Sequence, residues 1–444
     1  MRAPSLAGRN IALALTLCLA APAYGESLQE AVVQTLNSNP DVLIDVARRL
    51  STGEGLPQAQ SGYMPRIDVV YGRGRSRSDN SSTLATYGGP VGQLRYDRSL
   101  TLTQMLFDGF ATANDVERNY ARITSASHKL AATSEQIGLR AIEAYLEVLR
   151  NQEVVALTQD NLSVHERTFD QIKLRAASGV GRKADLDQIE ARLALARSNL
   201  TAAEGNLEVA AINYRMIVGS KPGALVKPEP PSEKLIPPTP DTAIKEALGN
   251  SRILMSGKAD IEAAKAQSQS ARSVLFPRVD LELSTSKNNL LTAIDISSDS
   301  NRSATVKLRY TLFKGFADVS HISETRYLIQ EAEEIMHRTE RQIEQSIRLS
   351  WNAYSSARER LPFLIKHSES AQLTREAYSK QFGLGQRTLL DLLDTENEAF
   401  TASSNYLNGQ YVELFSRYRV LTDIGLMFET INVPHRDETK LLDR

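Results

Sequence analysis

The chain has 444 residues, room for one large domain or for two to three ordinary ones, and its 52 Lys+Arg stand against 53 Asp+Glu. That balance excludes the basic footprint of a dedicated nucleic-acid binder. One cysteine, Cys18, leaves nothing from which to build a disulfide framework.

At the start, Arg2 and Arg9 precede the apolar run IALALTLCLAAPA, and small residues stand at Ala21, Ala23 and Gly25. A basic opening, a short apolar core and small residues before a cut predict a secretory signal peptide over 1–25. The run is too short for a membrane anchor, which takes about 20 apolar residues. Leu17 stands where a lipoprotein would carry a small residue before Cys18, so lipid attachment is not expected. Without Arg2 and Arg9 the formal charge moves from −1 to −3. No later stretch approaches the length of apolar run that a transmembrane helix requires.

From residue 26 onward the chain states each element twice. YMPRIDVVYG (63–72) returns as LFPRVDLELS (275–284), TLTQMLFDGFA (101–111) as LRYTLFKGFA (308–317), and GVGRKADLDQIEARLALA (179–196) as GLGQRTLLDLLDTENEAF (383–400). Order is kept and the offset is roughly 204 to 212 residues, which marks a tandem repeat. The expected units are 26–220 and 241–430, joined by a proline-rich connector over 221–240 and followed by a polar tail over 431–444.

In each unit, short strands come first and long helices after. Strands are expected over about 66–72, 97–107, 278–285 and 302–313, where apolar and polar residues alternate. Val279, Leu281 and Leu283 oppose Asp280, Glu282 and Ser284; Ala304, Val306, Leu308, Tyr310 and Leu312 oppose Thr305, Lys307, Arg309 and Thr311. In RIDVVYG, Val70 interrupts the polar face. The segments RGRSRSDNSSTLATYGGPVG and SKNNLLTAIDISSDSNRS are expected to be polar loops joining the strand pairs, with RGRSR in an exposed extracellular position. Pro65 and Pro277 precede the up-going strands, and Gly109 and Gly315 follow the down-coming ones, so these four residues mark the helix–strand junctions.

Helical segments are expected over about 113–218 and 318–425, with long first rods over about 113–177 and 318–381. Rods of that length mean a coiled coil or a helical tube. The return helices carry heptad-like stripes: Leu186, Ile189, Leu193, Ala196, Leu200, Ala203 and Leu207 in the first unit, and Leu390, Leu393, Asn397, Phe400, Ser404 and Leu407 in the second. Asp391 and Asp394 interrupt the second run three residues apart, on one helical face, with Arg387 one turn earlier.

Alternation alone fits an ordinary two-layer sheet. The apolar faces, however, run about ten residues, the length of a tilted membrane strand, beside helices too long for a compact α+β domain. Four strands cannot close a barrel, and lipid tolerates no open edge. Two copies would supply eight strands and three would supply twelve; three is preferred, because a twelve-stranded ring has a polar lumen for Lys307, Arg309, Asp280 and Glu282.

The repeat, the MPR and FDGF/FKGF junctions, and above all GQRTLLDLLDTENEAFTASSNY resemble the TolC-type outer-membrane factors of Gram-negative bacteria across essentially the whole mature chain. The resemblance implies a mixed α and β membrane protein: a homotrimer with one twelve-stranded outer-membrane β-barrel, four strands per chain, continuing into a periplasmic α-helical barrel. It implies docking to a periplasmic adaptor and to an inner-membrane ABC or proton-driven transporter, contact with outer-membrane lipid, no nucleic acid, no cofactor and no catalysis. Asp391 and Asp394 match the aspartates that ring the narrow periplasmic end, where three chains would place six carboxylates. Arg387 matches the arginine whose link to an aspartate of the other hairpin, here Asp187, helps hold the entrance shut. Where the family's latch has a tyrosine, this chain has Phe382.

The expected function is export from a docked adaptor and pump to the cell exterior, with type I secretion of a large adhesin or toxin preferred over small-molecule efflux. The spacing of SLQEAVVQTLNSNPDVLIDVARR and the short C-terminus carry that preference. A periplasmic coiled-coil adaptor would need an anchor and one helical hairpin; a general porin would need more strands and no long helices. The six histidines show no metal-ligand spacing, HERTF is not H-E-x-x-H, and no catalytic or metal-binding set stands out.

Overall fold

A computed structural model describes residues 25–79, 81–291 and 296–441. The signal-peptide expectation lies outside these residues except at Gly25. In chain order the elements are α1 (Leu28–Ser38), α2 (Pro40–Gly53), α3 (Gly55–Gln60), β1 (Arg66–Ser78), α4 (Ser81–Tyr87), β2 (Val91–Phe107), α5 (Ala111–Ala177), α6 (Lys183–Val218), α7 (Pro240–Asn250), α8 (Arg252–Ala271), β3 (Arg278–Leu291), β4 (Ile296–Arg309), α9 (Ala317–Gly383), α10 (Leu389–Asp423) and α11 (Met427–Thr430).

The strands form one antiparallel sheet in the order β1-β2-β3-β4. Its register puts Ile67, Leu102, Leu283 and Ala304 in one row of one face, and Val69 and Leu100 in the next. This apolar face is open: Val69 is 75% exposed and Leu308 68%. The opposite face is polar and internally paired, through Arg66–Asp68, Arg95–Asp97, Arg278–Asp280 and Lys307–Glu282. β1 extends into the stretch expected as loop, as far as Ser78, because it is paired along that length with β2, down to Ser78 opposite Val91.

Pro65 and Pro277 stand immediately before β1 and β3. After β2 and β4 come Gly109–Phe110 and Gly315–Phe316, all four left-handed, at φ of 69° and 67°, and 60° and 62°. Two successive left-handed residues turn the chain from strand into α5 and α9. The junctions gather aromatic rings: Phe107, Phe110 and Phe276 meet edge to face at centroid distances of 5.5 to 6.4 Å, as do Phe313 and Phe316 at 5.4 Å.

α5 and α9 each run 67 residues, about 100 Å at 1.5 Å per residue. Beside the sheet, α2 packs on α5, α5 on α8, and α8 on α9; farther away, α6 packs on α5, α5 on α10, and α10 on α9. One lateral edge is therefore β1, α2 and α6, and the other is β4 and α9. Both edges expose large apolar side chains, including Leu195 and Met216 on α6, and Leu349 and Phe363 on α9.

The main core lies midway along the helices, where Leu130, Ile142, Tyr145, Tyr214, Ile347 and Leu421 are buried. It clamps the connector. The Tyr145 hydroxyl accepts from the Val226 N–H at 2.9 Å and lies 2.7 Å from the Glu26 carbonyl oxygen, while Tyr214 donates to the Glu26 carboxylate at 2.6 Å. Trp351 donates its indole N–H to the Pro237 carbonyl at 3.1 Å, and Tyr354 is buried with Ile236 and Val420.

A cavity of about 520 Å³ between α5, α8, α9 and α10 is lined by Glu135, Arg252, Lys129 and Asp423, among others. Burial raises the Glu135 carboxyl to about 7, only partly relieved by Arg252 at 3.8 Å. Burial also raises Asp423 and, with the Arg252 charge, lowers His128 and His435. A raised carboxyl favours its protonated form in the folded state, so stability is lost as pH climbs from about 4.5 to about 7. That interval corresponds to about 3 kcal/mol. Glu135→Gln should match the parent in urea unfolding at pH 4.5 and exceed it at pH 8, since the other groups are common to both; equal midpoints at pH 8 would refute the assignment.

Candidate functional site

The end farthest from the sheet is built from two helical hairpin tips. α5 and α6 are joined through Gly179 at φ 77°, α9 and α10 through Gly385 at φ 76°. Beneath the tips lies a small apolar core of Ile172, Ile189, Phe382, Leu389, Leu392 and Leu393. Phe382 is 5% exposed and carries the Arg175 guanidinium 5.1 Å from its ring centroid. The position that lacks a tyrosine hydroxyl is thus filled by packing and a cation–π contact.

This core corrects the seam expected for the second return helix. Leu389, Leu392 and Leu393 are buried and Leu390 is 50% exposed. The packed face starts one residue earlier because Leu389, Leu392 and Leu393 are the residues that meet Ile172 of α5 and Ile189 of α6, whereas Asn397, in the expected stripe, is exposed. In the first return helix Ile189, Leu193, Ala196 and Ala203 are buried as the stripe requires.

Asp391 and Asp394 differ in their surroundings. Thr388 caps α10, accepting from the Asp391 N–H at 3.2 Å, and the Asp391 carboxylate accepts in return from the Thr388 N–H at 3.1 Å and hydroxyl at 2.9 Å. This capping box is visible in the sequence as T-x-x-D. It holds the Asp391 carboxyl below the usual carboxylate range, with the Arg387 charge contributing least. Asp394 lies 3.7 Å from Arg192 of α6 and keeps a side-chain exposure of 62%.

Arg387 turns back along α9. Its Nε donates to the Gln381 side-chain oxygen at 3.0 Å and its guanidinium stacks 4.1 Å from the Tyr378 ring centroid. Asp187 is exposed on α6, and among the described residues no ion pair joins it to Arg387 within the chain. Arg175, Arg192, Tyr378 and Gln381 were not picked out from the sequence. Arg175 and Arg192 act across hairpins roughly 200 residues apart, and no local spacing announces such a contact.

Among the described residues no group of His, Cys, Asp or Glu could hold a metal ion, and no helix is long and apolar enough to cross a membrane.

The family model described as outer membrane efflux protein matches residues 31–220 and 243–415. The outer membrane efflux protein BepC of Brucella suis biovar 1 is 23% identical, with 95% of this chain and 90% of BepC covered. The outer membrane protein TolC of Escherichia coli K12 is 23% identical over 91% of this chain and 83% of its own. The alkaline protease secretion protein AprF of Pseudomonas aeruginosa is 22% identical over 94% and 88%. Among solved structures, the Campylobacter jejuni CmeC outer membrane channel superposes with a TM-score of 0.77 at 14% identity, covering 94% of this chain and 90% of CmeC. That likeness is one of fold.

Proposed function

The chain belongs to the outer membrane efflux protein family, and from that premise we propose that three copies form the duct through which a docked pump secretes protein. The family consists of outer-membrane channels of tripartite systems, with a long periplasmic helical part; they are not enzymes.

The observation that carries the trimer is the pair of lateral edges. β1, α2 and α6 on one side and β4 and α9 on the other are unlike surfaces, so copies join head to tail and close as a ring. Closure removes both strand edges, and three copies make twelve strands, with the exposed apolar face toward lipid and the paired polar face toward a lumen. In this reading the units 26–220 and 241–430 are a tandem duplication, and Pro65, Gly109, Pro277 and Gly315 are the four points where tunnel passes into barrel.

At the tunnel end, Asp391 and Asp394 of three copies form the constriction. Arg387 reaches Asp187 in the sealed assembly, where Asp187 belongs to the same or the adjacent copy, while Phe382 anchors the hairpin that must move. Arg387→Ser should raise resting conductance in planar bilayers; no rise in an intact trimer removes Arg387 from the latch.

Cargo is taken to be protein, delivered by a periplasmic adaptor and an inner-membrane transporter. The similarity to AprF, a protease secretion protein, supports this. Deleting the gene should remove a large protein from the medium. Loss of drug resistance with an unchanged secreted proteome would overturn the protein cargo in favour of small-molecule efflux.

A further inference from the structure

The strands run on beyond the apolar band, and there their outward face changes character. On β1 that face carries Ile67, Val69 and Tyr71, then Arg73, Arg75 and Arg77. The strand register places Arg98 and Lys287 in the row of Tyr71, and Arg302 in the row of Val69. All six cations are exposed, and no carboxylate shares the outward face of the four strands among the described residues. On the inward face, by contrast, Arg66, Arg95, Arg278 and Lys307 are each set beside an acid, as described above.

Two tyrosines fix where the change occurs. The Arg73 guanidinium lies 5.4 Å from the Tyr96 ring centroid, and that of Arg98 lies 5.9 Å from Tyr71. Tyrosines of this kind sit at the level of lipid headgroups. Arg75 and Arg77 then follow at about 7 Å per row of outward residues, beyond the hydrocarbon and within the polar surface.

We propose that this collar docks the phosphate groups of outer-leaflet glycolipid, whose acyl chains lie along Ile67, Leu102 and Leu283. The inference rests on the reading that β1–β4 span the outer membrane. Arginine suits the task because its planar fork binds a phosphate through two N–H groups at once. A free anion would gain nothing from the apolar wall directly beneath the cations, whereas a phospholipid-like amphiphile uses both surfaces at once. Three copies would encircle the barrel with this surface.

The test is titration of the detergent-purified full-length trimer with fluorescent diphosphorylated lipid A, with its dephosphorylated form, and with inorganic phosphate as competitor. The phosphorylated form should bind about a hundredfold tighter. Arg73→Gln with Arg75→Gln and Arg77→Gln should lose most of that preference, since each cation at an anionic surface contributes about fivefold. The corresponding triple Lys variant should keep most of it, and Arg95→Gln on the inward face should change nothing. If the triple Gln variant yields no trimer, the single Arg75→Gln should still show the fivefold step. Equal affinity for the two lipid forms, indifference to these substitutions, or displacement by millimolar phosphate would each overturn the proposal. A chain recovered in the soluble fraction would overturn the membrane reading as well, whereas an outer-membrane trimer blind to phosphorylation overturns the collar alone.

Discussion

Asp391→Asn combined with Asp394→Asn should leave a channel with little cation selectivity and at least about tenfold weaker divalent block. Asparagine is the informative substitution. Asp391 is also the capping partner of Thr388, and alanine would remove both that oxygen and the charge, at about 1 kcal/mol for the cap. An asparagine oxygen can still accept from Thr388, so the double variant isolates the charge. In the proposed constriction, carboxylates from three copies would attract cations strongly, because little water screens charges in a narrow passage. The two aspartates are not equivalent: Arg192 lies 3.7 Å from Asp394, whereas the bonds to Thr388 hold Asp391 ionised. Asp391→Asn alone should therefore lower selectivity more than Asp394→Asn alone. Planar-bilayer reversal potentials measure this, and a double variant with parental selectivity in an intact trimer would remove both residues from the constriction.

Gly109→Ala should destabilise the chain by about 3 kcal/mol, and Gly315→Ala by about 1. Both glycines are left-handed, at φ 69° and 60°, which costs an L-residue roughly 1–2 kcal/mol. A Cβ at Gly109 would stand 2.5 Å from the Ser273 carbonyl oxygen and 2.9 Å from Phe276 Cβ, while nothing of the same chain lies within 4 Å of Gly315, which stands on the β4 and α9 edge. Backbone cannot yield as a flexible side chain does, so overpacking at Gly109 adds another 1–3 kcal/mol. The measurement is the yield of heat-modifiable trimer in outer membranes, with urea midpoints for the purified protein. A loss at Gly109→Ala no larger than the roughly 1–2 kcal/mol of the left-handed conformation would show that conformation, and not the approach of residues 273–276, sets the requirement.

The repeat hides this difference. FDGF and FKGF look interchangeable, and both do place a glycine and a phenylalanine in left-handed backbone before a 67-residue helix. Only packing shows that the first junction lies against residues 273–276 of its own chain, whereas the second stands on a lateral edge with nothing of its own chain within 4 Å of Gly315. The strand ends tell a similar story. Alternation in Ile67, Val69 and Tyr71 is plain, but the Arg-Gly-Arg-Ser sequence that follows has the composition of a loop. Pairing with β2 nevertheless carries β1 to Ser78 and gives its arginines a common face.

At the tips, two carboxylates within a leucine helix were legible because charge at helical spacing is a local signal. The face they accompany was not. Leu390 and Leu389 are equally apolar, and which one is buried depends on Ile172 and Ile189, more than 190 residues away in the chain. Arg387 was legible as a cation one turn before Asp391; its stacking on Tyr378 depends on how the loop folds back over α9.

The sequence by itself determined the period-two strands, the two rods and the apolar sheet face, because each is a pattern among neighbours along the chain, and the repeat, because its two copies can be set side by side. Tertiary structure alone decided which helices share an edge, which arginine meets Asp394, and that the β1 arginines share the face of Ile67 and Val69. Those outcomes depend on register and on contacts between segments far apart in the chain; a one-residue change of register in β1, for example, would send its arginines to the opposite face.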